Sequence, residues 1–198
     1  MNAALDFAYA VRGAVIDRDY PFALCAALLD VLPWLGSEPH AGVHPLRGAT
    51  ACSEGLLLGG RTRLVLRAPA ARAEECTRLQ GRLLEVPAPL HVGNVTRREL
   101  LPYPVLHARL VVTGSEDEAS FVGDIESEIE QLQIDCEIIV GRRGEVRLGV
   151  QRAAGFSLML HGLSPEHSLR AQEHGLGLHR MLGCGLFVPH KSVAAVGA

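Results

Sequence analysis

Two βαββαβ modules in tandem, an α+β architecture, are what this chain of 198 residues predicts. Three observations carry that expectation. Short runs in which apolar residues alternate with small or polar ones are interleaved with longer runs of helical spacing. The two patterns succeed one another as strand, helix, strand, strand, helix, strand, and then do so again. Pro102 and Pro104 fall between the rounds, which sets the domains at 1–101 and 102–198.

In the first round, residues 5–11 alternate as a half-buried strand should, and 20–32 carry apolar residues at helical spacing up to Pro33. Residues 55–58 and 63–67 read as strands, and Gly59-Gly60 between them reads as a hairpin turn. A helix over 70–79 and a strand pair over 82–92, bent around Pro87 and Pro89, complete the round. In the second, 105–113 is a strand and 117–133 a helix with Ile125, Ile129 and Leu132 on one face. Residues 136–140 form a strand, Gly141 to Gly144 a turn into 146–150, and 155–160 another strand. Ser164 is placed to cap a helix over 164–174, with Glu166 in its first turn, and 186–188 closes the sheet. Two tandem ferredoxin-like (RRM-like) modules are the simplest account.

Composition excludes several classes. The longest apolar run, 23–32, is broken by Asp30 and is far shorter than the ~20 residues of a bilayer span. Asp6 interrupts any signal-peptide core, and the five cysteines show no C-x-x-C spacing. Reduced thiols in a cytoplasmic protein are expected, with neither disulfide frame nor zinc site. The net charge of −3 runs against a general nucleic-acid binder. Its distribution is uneven: acids crowd into 115–130, a solvated helix face, while bases cluster elsewhere. Eighteen of the nineteen bases are arginine. That bias suits phosphate forks, and a GC-rich genome would equally produce it.

Two segments hold the chemistry. After the 164–174 helix, Gly175, Gly177, Gly183 and Gly185 bracket His179 and Arg180. The segment does not join a strand to a helix, as a dinucleotide or P-loop would, so a clamp for a phosphate backbone is the better reading. Beyond the first helix, a loop broken by Pro39, Gly42, Pro45 and Gly48 holds His40, His44 and Arg47. Histidine moves protons near neutral pH, although a lone loop histidine is more often simply solvated or hydrogen-bonded. Zinc binding by His40-x-x-x-His44 would need a helix that this loop denies. No serine elbow, Walker A loop or H-E-x-x-H motif is present.

These residues together resemble a family. Gly175-x-Gly177 with Gly183-Cys184-Gly185-Leu186-Phe187-Val188-Pro189 is similar to the glycine-rich signature of the CRISPR-associated repeat-processing endoribonucleases of the RAMP superfamily. Tyr20-x-x-x-Leu24, the run from Gly42 to Gly48, and Gly162-Leu163-Ser164 with Glu166, Ser168 and Gln172 resemble its compact MYXAN subtype. The resemblance implies metal-independent cleavage of a CRISPR precursor transcript within each repeat. The neighbouring 2′-hydroxyl attacks, leaving a 2′,3′-cyclic phosphate, and neither cofactor nor metal is needed. It implies a catalytic histidine near the end of the first helix, for which His44 fits first and His40 second. Tyr20 is the candidate helper and Arg47 the candidate cationic stabiliser. The glycine-rich loop with His179 and Arg180 would hold repeat RNA, with Arg61, Arg63, Arg142 and Arg143 as backbone contacts. Implied partners are the repeat RNA and other subunits of an effector complex, with no membrane. A non-catalytic RNA-binding subunit and a ferredoxin-like assembly domain remain as alternatives.

Overall fold

The computed structural model describes residues 4–191. It comprises two compact units, Met1–Glu99 and Leu100–Ala198.

In the first unit, the apolar positions of β1 (Ala4–Arg12) alternate, so that Phe7, Tyr9 and Val11 are buried on one face. After β2 (Val15–Ile16), helix α1 (Tyr20–Val31) buries Tyr20, Leu24 and Leu28, spaced four apart along one stripe. Pro33 ends it in a 3-10 segment, Pro33–Ser37. Then follow β3 (Gly42–Val43), β4 (Thr50–Cys52), β5 (Gly55–Leu57), β6 (Arg63–Pro69), β7 (Leu83–Val86) and β8 (Ala88–Glu99). The expected helix over 70–79 is a short α2 (Ala73–Cys76) between two 3-10 turns. The main sheet runs β3-β6-β1-β8-β7, antiparallel throughout. Its first four strands stand in the spatial order 2-3-1-4 that a βαββαβ chain generates.

One assignment changes. β5 and β6 do not form a hairpin through Gly59-Gly60; β5 pairs with β2 and β4 in a separate three-stranded sheet. Thr62 turns the chain away between them, its Oγ1 accepting from Gly59 N at 2.9 Å and donating to Gly48 O at 3.2 Å. The true second strand of the module is β3, inside the histidine loop. Alternation within β5 and β6 says that each is a strand but not which strand it pairs with.

In the second unit, β9 (Val105–Val111), α3 (Glu118–Gln131), β10 (Glu137–Leu148), β11 (Gln151–His161), α4 (Pro165–His174) and β12 (Val188–Pro189) follow in turn. The sheet order β10-β11-β9-β12 is again 2-3-1-4. Its core joins Leu106, Ala108, Phe156, Leu158 and Leu160 of the sheet to Phe121 and Ile125 of α3 and Ala171 of α4. Asp117 caps α3, and Ser164 caps α4 by accepting from His167 N at 3.2 Å. The buried Ser168 and Gln172 hold the unit's entry segment: Tyr103 N donates to Ser168 Oγ at 2.9 Å and Gln172 Nε2 to Leu101 O at 2.9 Å.

Here too one turn moves. Gly141 to Gly144 does not reverse the chain; β10 continues through it with a bulge between Val140 and Arg143. Reversal comes at Gly149 and Val150, where Gly149 takes φ 70°. Gly144 faces Gly155, whose Cβ position would lie 2.0 Å from Val111 O, so glycines at this row serve strand approach. No helix among the described residues is long and apolar enough to cross a membrane.

Candidate nucleic-acid interface and active site

The histidine loop of the first unit is pinned to the sheet at successive points. Gly42 and Val43 pair with Arg67 and Leu66 of β6. His44 N donates to Val65 O at 2.9 Å, and Leu46 N donates to the Tyr20 hydroxyl at 2.7 Å. Arg47 and Arg63 exchange backbone hydrogen bonds of 3.2 and 2.9 Å. Gly48, at φ 78°, lies so close to Arg61 that a Cβ would stand 2.7 Å from its carbonyl oxygen.

His44 turns its side chain onto the same sheet face as Asp6 and Arg67 and is 2% exposed. Its Nε2 stands 3.6 Å from Asp6 Oδ1, too far for a hydrogen bond, and has no other hydrogen-bond partner. Burial pushes its pKa down to about 4 against the pull of Asp6, with Arg67 and Arg47 adding to the fall. The ring is therefore neutral at working pH. Arg67 is 1% exposed and forks Asp6, Nε to Oδ1 at 2.7 Å and Nη2 to Oδ2 at 3.0 Å. Burial would raise the Asp6 carboxyl, but His44 and Arg67 outweigh it and hold it below the ordinary carboxylate range. Arg98, exposed, is the register partner of Asp6 on β8. Arg47, Arg67 and Arg98 thus surround one carboxylate and act on one another electrostatically; three positive charges against one leave a local excess of two.

His40 occupies the turn between the 3-10 segment and β3 and is half-buried, where His44 is closed in. Tyr20 is 6% exposed with its hydroxyl on the Leu46 amide, so it braces the loop rather than opening to a substrate. Arg61 is exposed; Arg63 turns its guanidinium to Gly60 O and Thr62 O at 3.0 and 2.8 Å. Asp6, Arg67 and Arg98 escaped the sequence reading as site residues. An aspartate as the third residue of the mostly apolar β1, and an arginine inside β6, were the available signals.

In the second unit the glycine-rich loop is committed to the protein. Arg180 is 9% exposed, and its guanidinium caps α4, donating to Glu173 O at 3.0 Å and to His174 O. Gly175 lies directly beneath that guanidinium. Gly177 N donates to Glu128 Oε2 at 2.7 Å, Leu178 N to Val112 O at 2.7 Å, and Gly185 N to Leu110 O at 2.8 Å. A Cβ at Gly177 would stand 2.4 Å from Val112 O, and at Gly185 2.0 Å from Leu176 O. Gly183 and His179 are both left-handed, at φ 88° and 63°, around the 3-10 turn Arg180–Leu182. Gly177 and Gly185 thus pack closely against neighbouring backbone, and their amides donate to Glu128 of α3 and Leu110 of β9. Arg142, Arg143, Arg147 and Arg152 instead stand exposed along the β10–β11 hairpin; Glu145 pairs with Arg152 at 3.2 Å and Arg143 at 3.8 Å. Among the described residues no three His, Cys, Asp or Glu side chains are grouped as metal ligands.

Comparison with known proteins places this architecture. A solved CRISPR-associated Cas6 protein superposes with TM-score 0.68 at 12% identity, covering 95% of this chain and all of the other. A RAMP protein described as binding different RNA substrates superposes at 0.67 and 11%, covering 93% and 98%. At those identities the likeness establishes the fold alone. The CRISPR-associated endonuclease Cas6 of Myxococcus xanthus (strain DK1622) is 39% identical over 194 residues, 97% of this chain and 84% of that protein. Residues 5–192 match the model of the Cas6 Crispr family. Sequence and fold converge, and the chain belongs to the Cas6 family.

Proposed function

We propose that the protein binds CRISPR repeat RNA and cleaves the precursor transcript within each repeat. Cleavage proceeds by attack of the 2′-hydroxyl on the adjacent phosphate. The 2′-oxygen gives up its proton as it bonds to phosphorus, and the 5′-oxygen leaves and takes one. The products are a 2′,3′-cyclic phosphate and a 5′-hydroxyl. The observation that carries this reading is a histidine- and arginine-bearing loop strapped to the central sheet of a Cas6-family chain. The Myxococcus relative is named an endonuclease, which supports cleavage over binding alone.

The roles follow from burial. His44 is enclosed, with 2% of its surface exposed, which favours the more open histidine of the loop. His40 lies in the half-buried turn of the same loop and is assigned the proton transfer. Arg47, next along the strand extension, neutralises charge building on the phosphate, with Arg98 on β8. Tyr20 keeps the loop in place. Arg61 and the hairpin residues Arg142, Arg143, Arg147 and Arg152 contact the RNA backbone, while Arg180 and the glycines hold the second unit together. The protein acts in the cytoplasm, alongside other subunits of a CRISPR effector complex.

The test is incubation of the purified protein with a labelled repeat from its own locus in EDTA, beside His40→Ala. One discrete cut ending in a cyclic phosphate, absent from the variant, is the expected result. Tight binding without cleavage by either protein would assign it to the non-catalytic RNA-binding subunits. A cut that appears only on adding magnesium would overturn the metal-free route.

A further inference from the structure

β3 is the shortest strand in its sheet, and it bears the reactive loop. Its two residues, Gly42 and Val43, make two ladder pairs with β6. The ladder is carried on by His44 N to Val65 O and by the Arg47–Arg63 bridge, and a slip of one residue would send every side chain of the segment to the opposite face. Val43 is 3% exposed and pairs with Leu66, which in turn pairs with Phe7, on the apolar face. His44, next along, must then face the other way, where Asp6 and Arg67 stand. In the opposite register an imidazole would enter the apolar side, and Asp6 and Arg67 would face a valine.

Asp6 and Arg67 are direct register partners on the two central strands, and their fork is bidentate. Gly42 is the register partner of Arg67 on the other side. The ionised carboxylate, 3.6 Å from Nε2, favours electrostatically the ring tautomer with its proton there. His44 Nε2 reaches to 3.6 Å from Asp6 Oδ1 and is otherwise unpartnered in the interior.

We propose that Asp6 and Arg67 are positioning residues, which act through the His44 ring to hold the 40–47 segment in one register and so aim His40 at the scissile phosphate. The proposal rests on the endoribonuclease reading above. A one-residue slip moves a strand by about 3.3 Å along its axis, and misplacement of about 1 Å is enough to cost on the order of a hundredfold in rate. The pair therefore governs catalysis without touching RNA.

The test separates positioning from stability. Removing one partner strands a buried charge and unfolds many proteins, whereas replacing both by apolar residues of similar volume is commonly tolerated. The Asp6→Leu/Arg67→Met double variant is compared with wild type for melting temperature, affinity for a repeat blocked by 2′-deoxy substitution at the mapped cut, and single-turnover cleavage. The expected outcome is a folded protein with affinity within about twofold and a cleavage rate about 10–100-fold lower. A wild-type rate in the folded double variant overturns the proposal. A wild-type protein that does not cleave overturns the endoribonuclease reading, and this proposal with it. If the double variant does not fold, His44→Met and His44→Gln answer in its place. Glutamine retains an N–H for Asp6 and is expected to keep at least tenfold more activity than methionine. Equal and near-complete loss in both would make His44 itself the proton carrier and sink the positioning role.

Discussion

Arg67 on β6 forks the carboxylate of Asp6, its direct partner on β1, at 2.7 and 3.0 Å, and His44 closes over the pair with 2% of its surface exposed. A neutral histidine enclosed beside a guanidinium has a thermodynamic signature. Burial lowers its pKa from 6.5 to about 4, so between those values the unfolded chain binds a proton that the folded one does not. Stability is full above about pH 6.5 and falls as pH drops toward 4, by on the order of 3 kcal/mol from this group. Asp6 adds a loss of the same sign below its ordinary range. Thermal unfolding of wild type at pH 7 and pH 5 is expected to show a drop of several degrees, and His44→Gln a smaller one. Parallel drops in both proteins would mean that His44 titrates normally.

His40→Ala is expected to lower single-turnover cleavage by roughly 10²–10⁴-fold and leave repeat affinity within about twofold. Rates and affinities measured on the same preparation decide it. A variant that still cleaves at the wild-type rate would return the catalytic role to another residue.

Arg180→Ala is a stability variant on this structure. It removes the guanidinium from the Glu173 and His174 carbonyls at the end of α4 and is expected to cost about 1–3 kcal/mol. Repeat binding by the folded fraction should keep its salt slope. A flattened slope without loss of melting temperature would put Arg180 on the RNA instead.

Arg142→Ala/Arg143→Ala should do the reverse, weakening repeat binding and reducing the slope of log K against log salt by about one for each phosphate no longer neutralised. The melting temperature should stay within a degree or two, since both side chains are exposed on β10. Fluorescence anisotropy at several salt concentrations reads this directly.

Gly185→Ala places a Cβ 2.0 Å from Leu176 O at a φ of 66°. The left-handed backbone alone costs roughly 1–2 kcal/mol, and the clash adds to it. The expected result is poor soluble yield or a melting temperature lowered by several degrees, with the first unit unaffected. Wild-type stability would show that the loop relaxes freely.

How much of this was legible beforehand depends on periodicity. β1, α1, α3 and α4 were readable because each is long enough to display its period, and Ser164 announced its helix by its hydroxyl. β3 was not, since two residues between prolines and glycines have no period at all. The hairpin turn was misread at Gly141 and Gly144 because glycine signals close strand approach as readily as reversal, and only pairing tells the two apart. For the same reason the terminal glycines suggested a phosphate clamp, whereas the amides of Gly177 and Gly185 donate to Glu128 and Leu110. The histidine loop is legible from residue types, but the difference in burial between His40 and His44 is not. His44 lies against Asp6 and Arg67, which are distant in sequence and adjacent in the sheet.

Between residues 116 and 137 the chain carries nine acids and no base. Four have local partners: Asp117 caps α3, Asp124 accepts from the Ser115 hydroxyl, Glu128 accepts from Gly177 N, and Glu137 stands 3.6 Å from His161 Nε2. The rest give the second unit a flank that repels polyanions, while its hairpin attracts them. A nucleic acid arriving by diffusion is thus turned before it touches the surface, because only one approach lowers its electrostatic energy. Added salt should then slow the encounter far more than it shortens the life of the complex once formed.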